Sequence, residues 1–126
     1  MKIVVAPTSF KGTLGVIDAS IAIIRGIRQI DAHADIVQFP VSDGGDSFLE
    51  AALFNCGGKY IDTVVTGPRG KKQTVVCGVL SGGSGIVEMA KASGFALLEE
   101  TERNPLLTSS YGTGELILSL IKRGVH

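Results

Sequence analysis

Lys2-Ile3-Val4-Val5-Ala6-Pro7-Thr8-Ser9-Phe10-Lys11-Gly12 is the stretch on which the fold turns. Lys2–Ala6 reads as a short buried strand, because four of its five residues are apolar and three are β-branched. The strand then runs into a proline, two hydroxyls, an ammonium and a glycine. A plain connector needs only turn chemistry, so this loop offers more than a turn requires. Thr13 is placed to cap a helix that runs to about Ile30, with Leu14, Ile17, Ile21 and Ile24 forming one apolar stripe. Asp35–Val41 reads as a second strand. Strand, helix and strand in that order predict a βαβ unit, parallel and right-handed. In such a unit the loops that follow the strands lie at the carboxyl end of the sheet, where ligands bind.

Beyond this unit, Ser42-Asp43-Gly44-Gly45-Asp46 turns the chain into a helix expected over about Asp46–Asn55 and ended by Gly57-Gly58. The pattern then changes. Tyr60–Thr66, Gln73–Leu80 and Gly85–Met89 are β-branched runs separated by Gly67-Pro68-Arg69-Gly70 and Ser81-Gly82-Gly83-Ser84. Short turns of that composition favour an antiparallel meander. An irregular stretch leads to a last helix, about Gly114–Arg123, with Leu116, Ile117, Leu120 and Ile121 on its inner side and Gly124 at its end. The fold class expected is α/β, a parallel βαβ unit plus an antiparallel meander in a mixed sheet. Its two parts are 1–59, the N-terminal βαβα unit, and 60–126, the start of a second α/β part. Val125-His126 looks like the first step of another strand. The chain is therefore expected to be an incomplete part of a longer protein.

The chain has 126 residues, enough for a real core, and its twelve basic residues balance twelve acidic ones. Such a balance lacks the basic footprint of a nucleic-acid binder. No apolar run reaches the length of a membrane span, and Met1–Pro7 turns too soon for a signal peptide. The reading is a cytoplasmic protein with no nucleic-acid and no membrane partner. Cys56 and Cys77 lack metal-like spacing and are expected to be buried thiols.

Three stretches carry polar chemistry. Two are the loops Pro7–Gly12 and Ser42–Asp46, which bring Ser9 and Lys11 toward Asp43 and Asp46. A lysine binds phosphate as a point charge. A carboxylate holds Mg²⁺, accepts a hydroxyl proton or binds a hydroxyl. Gly44 and Gly45 let a ligand approach the backbone. Each residue has a plainer alternative: Asp43 or Asp46 as a helix cap, the glycines as turn formers, Lys11 as a solvated lysine. The third stretch holds Arg103-Asn104-Pro105 and Thr108-Ser109-Ser110-Tyr111-Gly112-Thr113-Gly114-Glu115. Hydroxyls and glycines opening a helix suit an anion. The plainer alternative is Thr113 as an N-cap with Glu115 complementing the helix dipole. There is no G-x-x-x-x-G-K-[ST] motif, and Gly112-x-Gly114 lacks the rest of a Rossmann fingerprint.

Taken together these stretches resemble the bacterial glycerate kinases that do not use a P-loop. The family's A-P-D-S-F-K-G corresponds to Ala6–Gly12, its V-P-[VM]-A-D-G-G-E-G to Phe39–Ser47, and its V-T-G-P-x-G to Val65–Gly70. Its I-E-M-A-x-A-S-G corresponds to Val87–Gly94, and its R-N-P-x-x-T-[TS]-[TS]-x-G-T-G-E-L-I to Arg103–Ile117. The matches run in order over the whole chain, which is similar to roughly the first third of such a kinase. Among the departures, Thr8 stands for an aspartate, Asp46 for a glutamate and Ser47 for a glycine.

The resemblance implies ATP-dependent phosphorylation of D-glycerate with Mg²⁺, in a cleft between two domains of which this chain supplies one wall. It implies Lys11 and Asp43 as catalytic residues, the first neutralising phosphate or the glycerate carboxylate, the second holding a hydroxyl or the metal. Ser9, Gly44, Gly45, Asp46, Arg103, Asn104, Thr113 and Gly114 are implied as substrate-binding, with Arg103 a clamp for a carboxylate. The metal ligands are left unassigned. The alternative is a non-catalytic fragment or remnant that folds and binds a small anion or a partner chain. A flavodoxin-like flavin binder is a third, weaker alternative. The chain alone is expected to be inactive and to self-associate through its truncated edge.

Overall fold

The structure is a computed structural model that describes residues 1–10 and 12–125. Lys11 and His126 lie outside the described residues. The chain divides into two compact units, Met1–Asn55 and Cys56–His126.

The first unit opens with β1 (Lys2–Val5), followed by α1 (Val16–Ile30) and β2 (Asp35–Gln38). The two strands pair in parallel, Lys2 beside Asp35 through Val5 beside Gln38. Strand-like bonding continues past Gln38. Phe39 donates its N–H to the Val5 carbonyl at 2.8 Å and Val41 to the Pro7 carbonyl at 3.0 Å. Pro40 falls between them, so its missing donor sits on the edge facing away from β1. It ends the regular ladder three residues before the expected boundary at Val41. Pro40 is fully buried, and its carbonyl accepts the Asn55 side-chain amide at 2.7 Å.

Helix α1 starts later than its sequence pattern suggests. Gly15 is the N-cap, and the Thr13 hydroxyl donates backward to the Phe10 carbonyl at 3.1 Å instead of capping the helix. Val16, Ala19 and Ser20 are its buried residues, whereas Leu14 precedes the first turn and is partly exposed. Ser20 satisfies its buried hydroxyl by donating to Ile17 O at 2.7 Å and accepting from the Gln38 amide. That pair ties α1 to β2. The helix α2 (Phe48–Cys56) buries Leu49, Ala51 and Leu53. Cys56, at its end, is exposed, not buried as expected; Cys77 is buried. The difference is one of position: Cys56 sits on the last, outward turn of a short helix, and Cys77 on the inner face of a sheet.

The second unit is the meander, β3 (Gly58–Thr66), β4 (Lys72–Leu80) and β5 (Gly85–Ile86), antiparallel in the order β3-β4-β5. The α/β class with parallel and antiparallel parts stands. The two kinds of pairing, however, occupy separate sheets among the described residues, not one mixed sheet. The local turn supplies the reason: Gly67 donates to Lys71 O at 2.7 Å, and this tight reversal gives β3 a partner in β4 along its whole length. Ile61 faces Cys77 and Thr63 faces Val75 across the pair.

Beyond the meander come α3 (Met89–Ser93), 3-10 turns at Phe95–Leu97 and Glu100–Glu102, and α4 (Tyr111–Lys122). The core of this unit is Val65, Val75, Cys77, Ala92, Leu116 and Leu120. Helix α4 begins a turn before the expected Gly114, so Thr113 lies inside it and is not its cap. Gly112, Leu116 and Leu120 form the buried line, spaced by four. Ile117 and Ile121 are rotated about 100° from that line, one residue on, and are 48% and 60% exposed. The inner face expected from apolarity alone was twice too wide.

Candidate functional site

The loops after β1 and β2 emerge from the same end of a parallel pair, so they are neighbours by construction. Ser9 Oγ donates to the Asp46 carbonyl at 3.5 Å, and Ser42 Oγ to the same oxygen at 3.4 Å. Both bonds are long and lie at the surface, so they guide the loop more than they lock it. Within the loop, Gly44 N–H donates to Ser42 Oγ at 3.2 Å and Gly45 N–H to Asp43 Oδ1 at 3.1 Å. This bond of Asp43 shapes its own turn, an Asx-type closure. Gly44 sits at φ +94 and Ser47 at φ +66, both in the left-handed region that favours glycine.

Thr8, Ser9, Asp43, Gly45 and Asp46 line a cleft of about 270 Å³. A second cleft of about 280 Å³, lined by Ser9, Phe10, Gly12, Thr13, Leu14, Gly15, Asp46 and Ser47, shares Ser9 and Asp46 with the first. Polar groups converge on both from two loops. The first of these clefts holds two exposed carboxylates, Asp43 and Asp46. Lys11, the cation expected here, lies outside the described residues.

The remaining candidates belong to the second unit. Arg103 carries its guanidinium over the Phe95 ring, 4.1 Å from the centroid. This stacking orients the planar fork. Asn104 is occupied with its own turn: Oδ1 accepts the Leu106 N–H at 3.0 Å, and its carbonyl accepts Leu107 N–H at 3.0 Å and Thr108 Oγ1 at 3.2 Å. Thr113 Oγ1 pairs with Ser93 Oγ at 2.8 Å. Gly114 faces open space: a Cβ there would meet nothing within 4 Å. Ser93 and Phe95 were not singled out from sequence. Both stand in or beside the run Val87–Gly94, whose only sequence signal was its family resemblance.

Glu115 does more than complement a helix dipole. Its Oε2 accepts the Thr66 N–H and its Oε1 accepts Lys72 Nζ at 2.9 Å. The Lys72 ammonium, followed by the Thr66 N–H, holds the Glu115 carboxyl below the usual glutamate range. Among the described residues no group of three or more His, Cys, Asp or Glu side chains is arranged to hold a metal ion.

A parallel βα pair with polar loops at its carboxyl end in the first unit and, in the second, a helix opened by hydroxyls define an α/β protein whose polar groups gather at loop ends. The comparisons narrow that class. The chain matches the model of the glycerate kinase family over residues 3–126 and belongs to that family. It is 40% identical to a glycerate kinase of Bacillus subtilis over 127 residues, covering 100% of this chain and 33% of that protein. It is 42% identical to a glycerate kinase of Haemophilus influenzae, covering 100% of this chain and 34% of that one. It is also 42% identical to a glycerate 2-kinase of Escherichia coli, covering 98% of this chain and 33% of the relative. A crystal structure of a glycerate kinase 2 from Salmonella typhimurium LT2 superposes with a TM-score of 0.83 at 38% identity, over 98% of this chain and 33% of that one. The chain spans about a third of the length of the curated relatives it matches.

Proposed function

We propose that this chain is the part of a glycerate kinase that supplies one wall of the site where ATP phosphorylates a hydroxyl of D-glycerate. The observation that carries the reading is the family match over residues 3–126, at 40% identity to a named glycerate kinase over the whole chain. The clefts formed by the loops after β1 and β2 are where such chemistry belongs in a parallel sheet. The name of the Escherichia coli relative, a glycerate 2-kinase, supports the 2-hydroxyl as the acceptor.

Phosphoryl transfer asks a protein for positioning and charge stabilisation. Asp43, exposed in its cleft and shaped by the bond to Gly45, is assigned the acceptor hydroxyl. Ser9, Gly44, Gly45 and Asp46 bind the organic acid or its phosphate around it. Lys11 is assigned the negative charge that builds on the transferring group. Arg103, preoriented by Phe95, takes a carboxylate. Asn104, Thr113 and Gly114 line the anion side at the start of α4, with Asn104 acting through the turn it closes.

Two oxygen-donor carboxylates in one cleft, Asp43 and Asp46, fit Mg²⁺, which binds through one or two carboxylates plus substrate phosphates. The ion would supply charge neutralisation on ATP. The reading belongs in the cytoplasm, where ATP is available; no described helix is long and apolar enough to cross a membrane. By itself the 126-residue chain is assigned no turnover, since its clefts are open and do not exclude water from the reacting phosphate. Its exposed apolar residues on α4 (Ile117, Leu118 and Ile121) favour self-association.

The test is a chimera in which residues 1–126 replace the matching third of the Bacillus subtilis relative. Glycerate-dependent ADP release well above background is expected. A folded chimera that releases no ADP would sink the kinase reading and favour the non-catalytic alternative.

A further inference from the structure

We propose that Glu115 is a positioning residue, which seats the hydroxyl-rich start of α4 against the β3–β4 hairpin. The proposal deepens the kinase reading and rests on it for the use made of that helix start; the contact itself is on the page independently.

The argument begins at Thr66, the last residue of β3. Among the described residues β3 lies at the edge of its sheet, so its outward N–H groups have no strand partner. Glu115 Oε2 accepts the Thr66 N–H. Its other oxygen accepts Lys72 Nζ at 2.9 Å, and the same ammonium donates to Thr66 Oγ1 at 2.8 Å. Thr66 and Lys72 face each other in the strand register, at the mouth of the hairpin turn. One carboxylate therefore closes that mouth with two charge-assisted bonds.

Gly112 makes the approach feasible. It is buried, and a Cβ there would collide with the Thr66 carbonyl oxygen. The N-terminal part of α4 thus grips the backbone of one residue twice, the carbonyl through Gly112 and the amide through Glu115. The turn is tied on its far side too: Ser109 N–H donates to Pro68 O at 3.0 Å, and Arg69 Nη1 donates to Leu107 O at 3.2 Å. Thr108 to Thr113 run between these ties and include Thr113, the hydroxyl assigned to the anion side. Their place is set by Glu115 from one end and by the hairpin turn from the other. A glutamate that served only the helix dipole would need neither Thr66 nor Lys72.

The experiment is an amide NMR titration of the ¹⁵N-labelled 126-residue chain and its E115Q and K72M variants. Thr66 is in direct contact with the carboxylate, Lys72 pairs with it from β4, and Lys122 and Arg123, at the end of α4, line the same cleft. In the wild type the Thr66 amide is expected to move on acidification with a midpoint below the usual glutamate range. K72M raises that midpoint. E115Q abolishes the titration and shifts the amides of residues 109–114. Glutamine keeps the size and one acceptor, so the variant is expected to stay folded. A Thr66 amide that does not report a carboxylate, or residues 109–114 unmoved in E115Q, overturns the proposal. These readouts need no turnover. An inactive chimera therefore counts against the kinase reading alone, and unmoved amides in an active one count against the positioning role alone.

Discussion

The two units treat their polar residues differently. In Met1–Asn55 the candidate loops are held by long bonds, 3.4 and 3.5 Å from two serines to one carbonyl, and their carboxylates stand exposed. In the second unit the corresponding residues are bound into the fold: Thr113 to Ser93, Asn104 into its own turn, Glu115 to Thr66 and Lys72. The contrast separates two ways of presenting a ligand-binding surface. One leaves charged groups to be organised by the ligand, at a cost in ordering when it binds. The other preorganises the surface and builds it into the stability of the unit.

The sharpest way to break this contrast is to attack the core on which the second unit depends. Leu116 is fully buried among Val65, Cys77 and Leu120. Leu116→Ala is expected to cost about 3 kcal/mol, from lost burial and the cavity left behind. Amide exchange should accelerate across β3, β4 and α4 and stay slow in β1 and β2. Uniform acceleration through both units would show that they unfold together and that the contrast has no energetic counterpart.

The next effect lies in the first unit and should appear in activity, not stability. Asp43→Asn retains an oxygen for the Gly45 N–H and removes the charge. In the chimera it is expected to lower glycerate-dependent turnover roughly 100-fold, about 2.7 kcal/mol of barrier. Its melting temperature should stay within about 2 °C, because an exposed loop charge contributes little to folding. A large drop in melting with turnover retained would make Asp43 a turn former, the plainer alternative its residue type allowed.

A smaller effect is expected from pH in the second unit. Glu115 titrates lower in the folded chain than an ordinary glutamate, chiefly because of Lys72. Its contribution is therefore fully present above the ordinary glutamate pKa and is lost as pH falls through the lowered folded value. Urea midpoints measured from neutral to acid pH should show this loss in the wild type and less of it in E115Q. Identical acid limbs would mean that the carboxylate is not preferentially stabilised by folding.

What the sequence made legible follows from which signals are local. The β-branched runs Tyr60–Thr66 and Gln73–Leu80 and the glycines at the turns are local, and the meander they predict is present. So is the order strand, helix, strand that brings the loops of Ser9 and Asp46 together. The phase of α4 was not legible, because Gly112 sets it by touching Thr66, a residue forty-six positions earlier whose carbonyl no periodicity reveals. The Ser93–Thr113 pair was hidden for the same reason, since it joins two segments that are separated by an irregular stretch. Asn104 shows the reverse: its side chain closes a turn with Leu106, a local role that the reading of it as a ligand group passed over.

The smallest effect concerns Ser47, where this chain has serine and the family motif it resembles has glycine. Ser47 is the one non-glycine residue with positive φ among the described residues, at +66. A left-handed backbone costs a residue with a Cβ roughly 1–2 kcal/mol. Ser47→Gly removes that strain but adds freedom to the unfolded chain, which offsets part of the gain. The net expectation is about 0.5 kcal/mol of added stability, a difference of the two effects, read as a higher urea midpoint with an unchanged slope. Its carbonyl, which accepts the Ala51 N–H at 3.0 Å in the first turn of α2, should keep that bond. Ser47→Ala is the control, because alanine loses the hydroxyl and keeps the strained φ. If the backbone is the cause, alanine gives no gain while glycine does. If both variants gain equally, the hydroxyl was the unfavourable group, and the strain assigned to this loop is not what distinguishes it from the tightly bonded second unit.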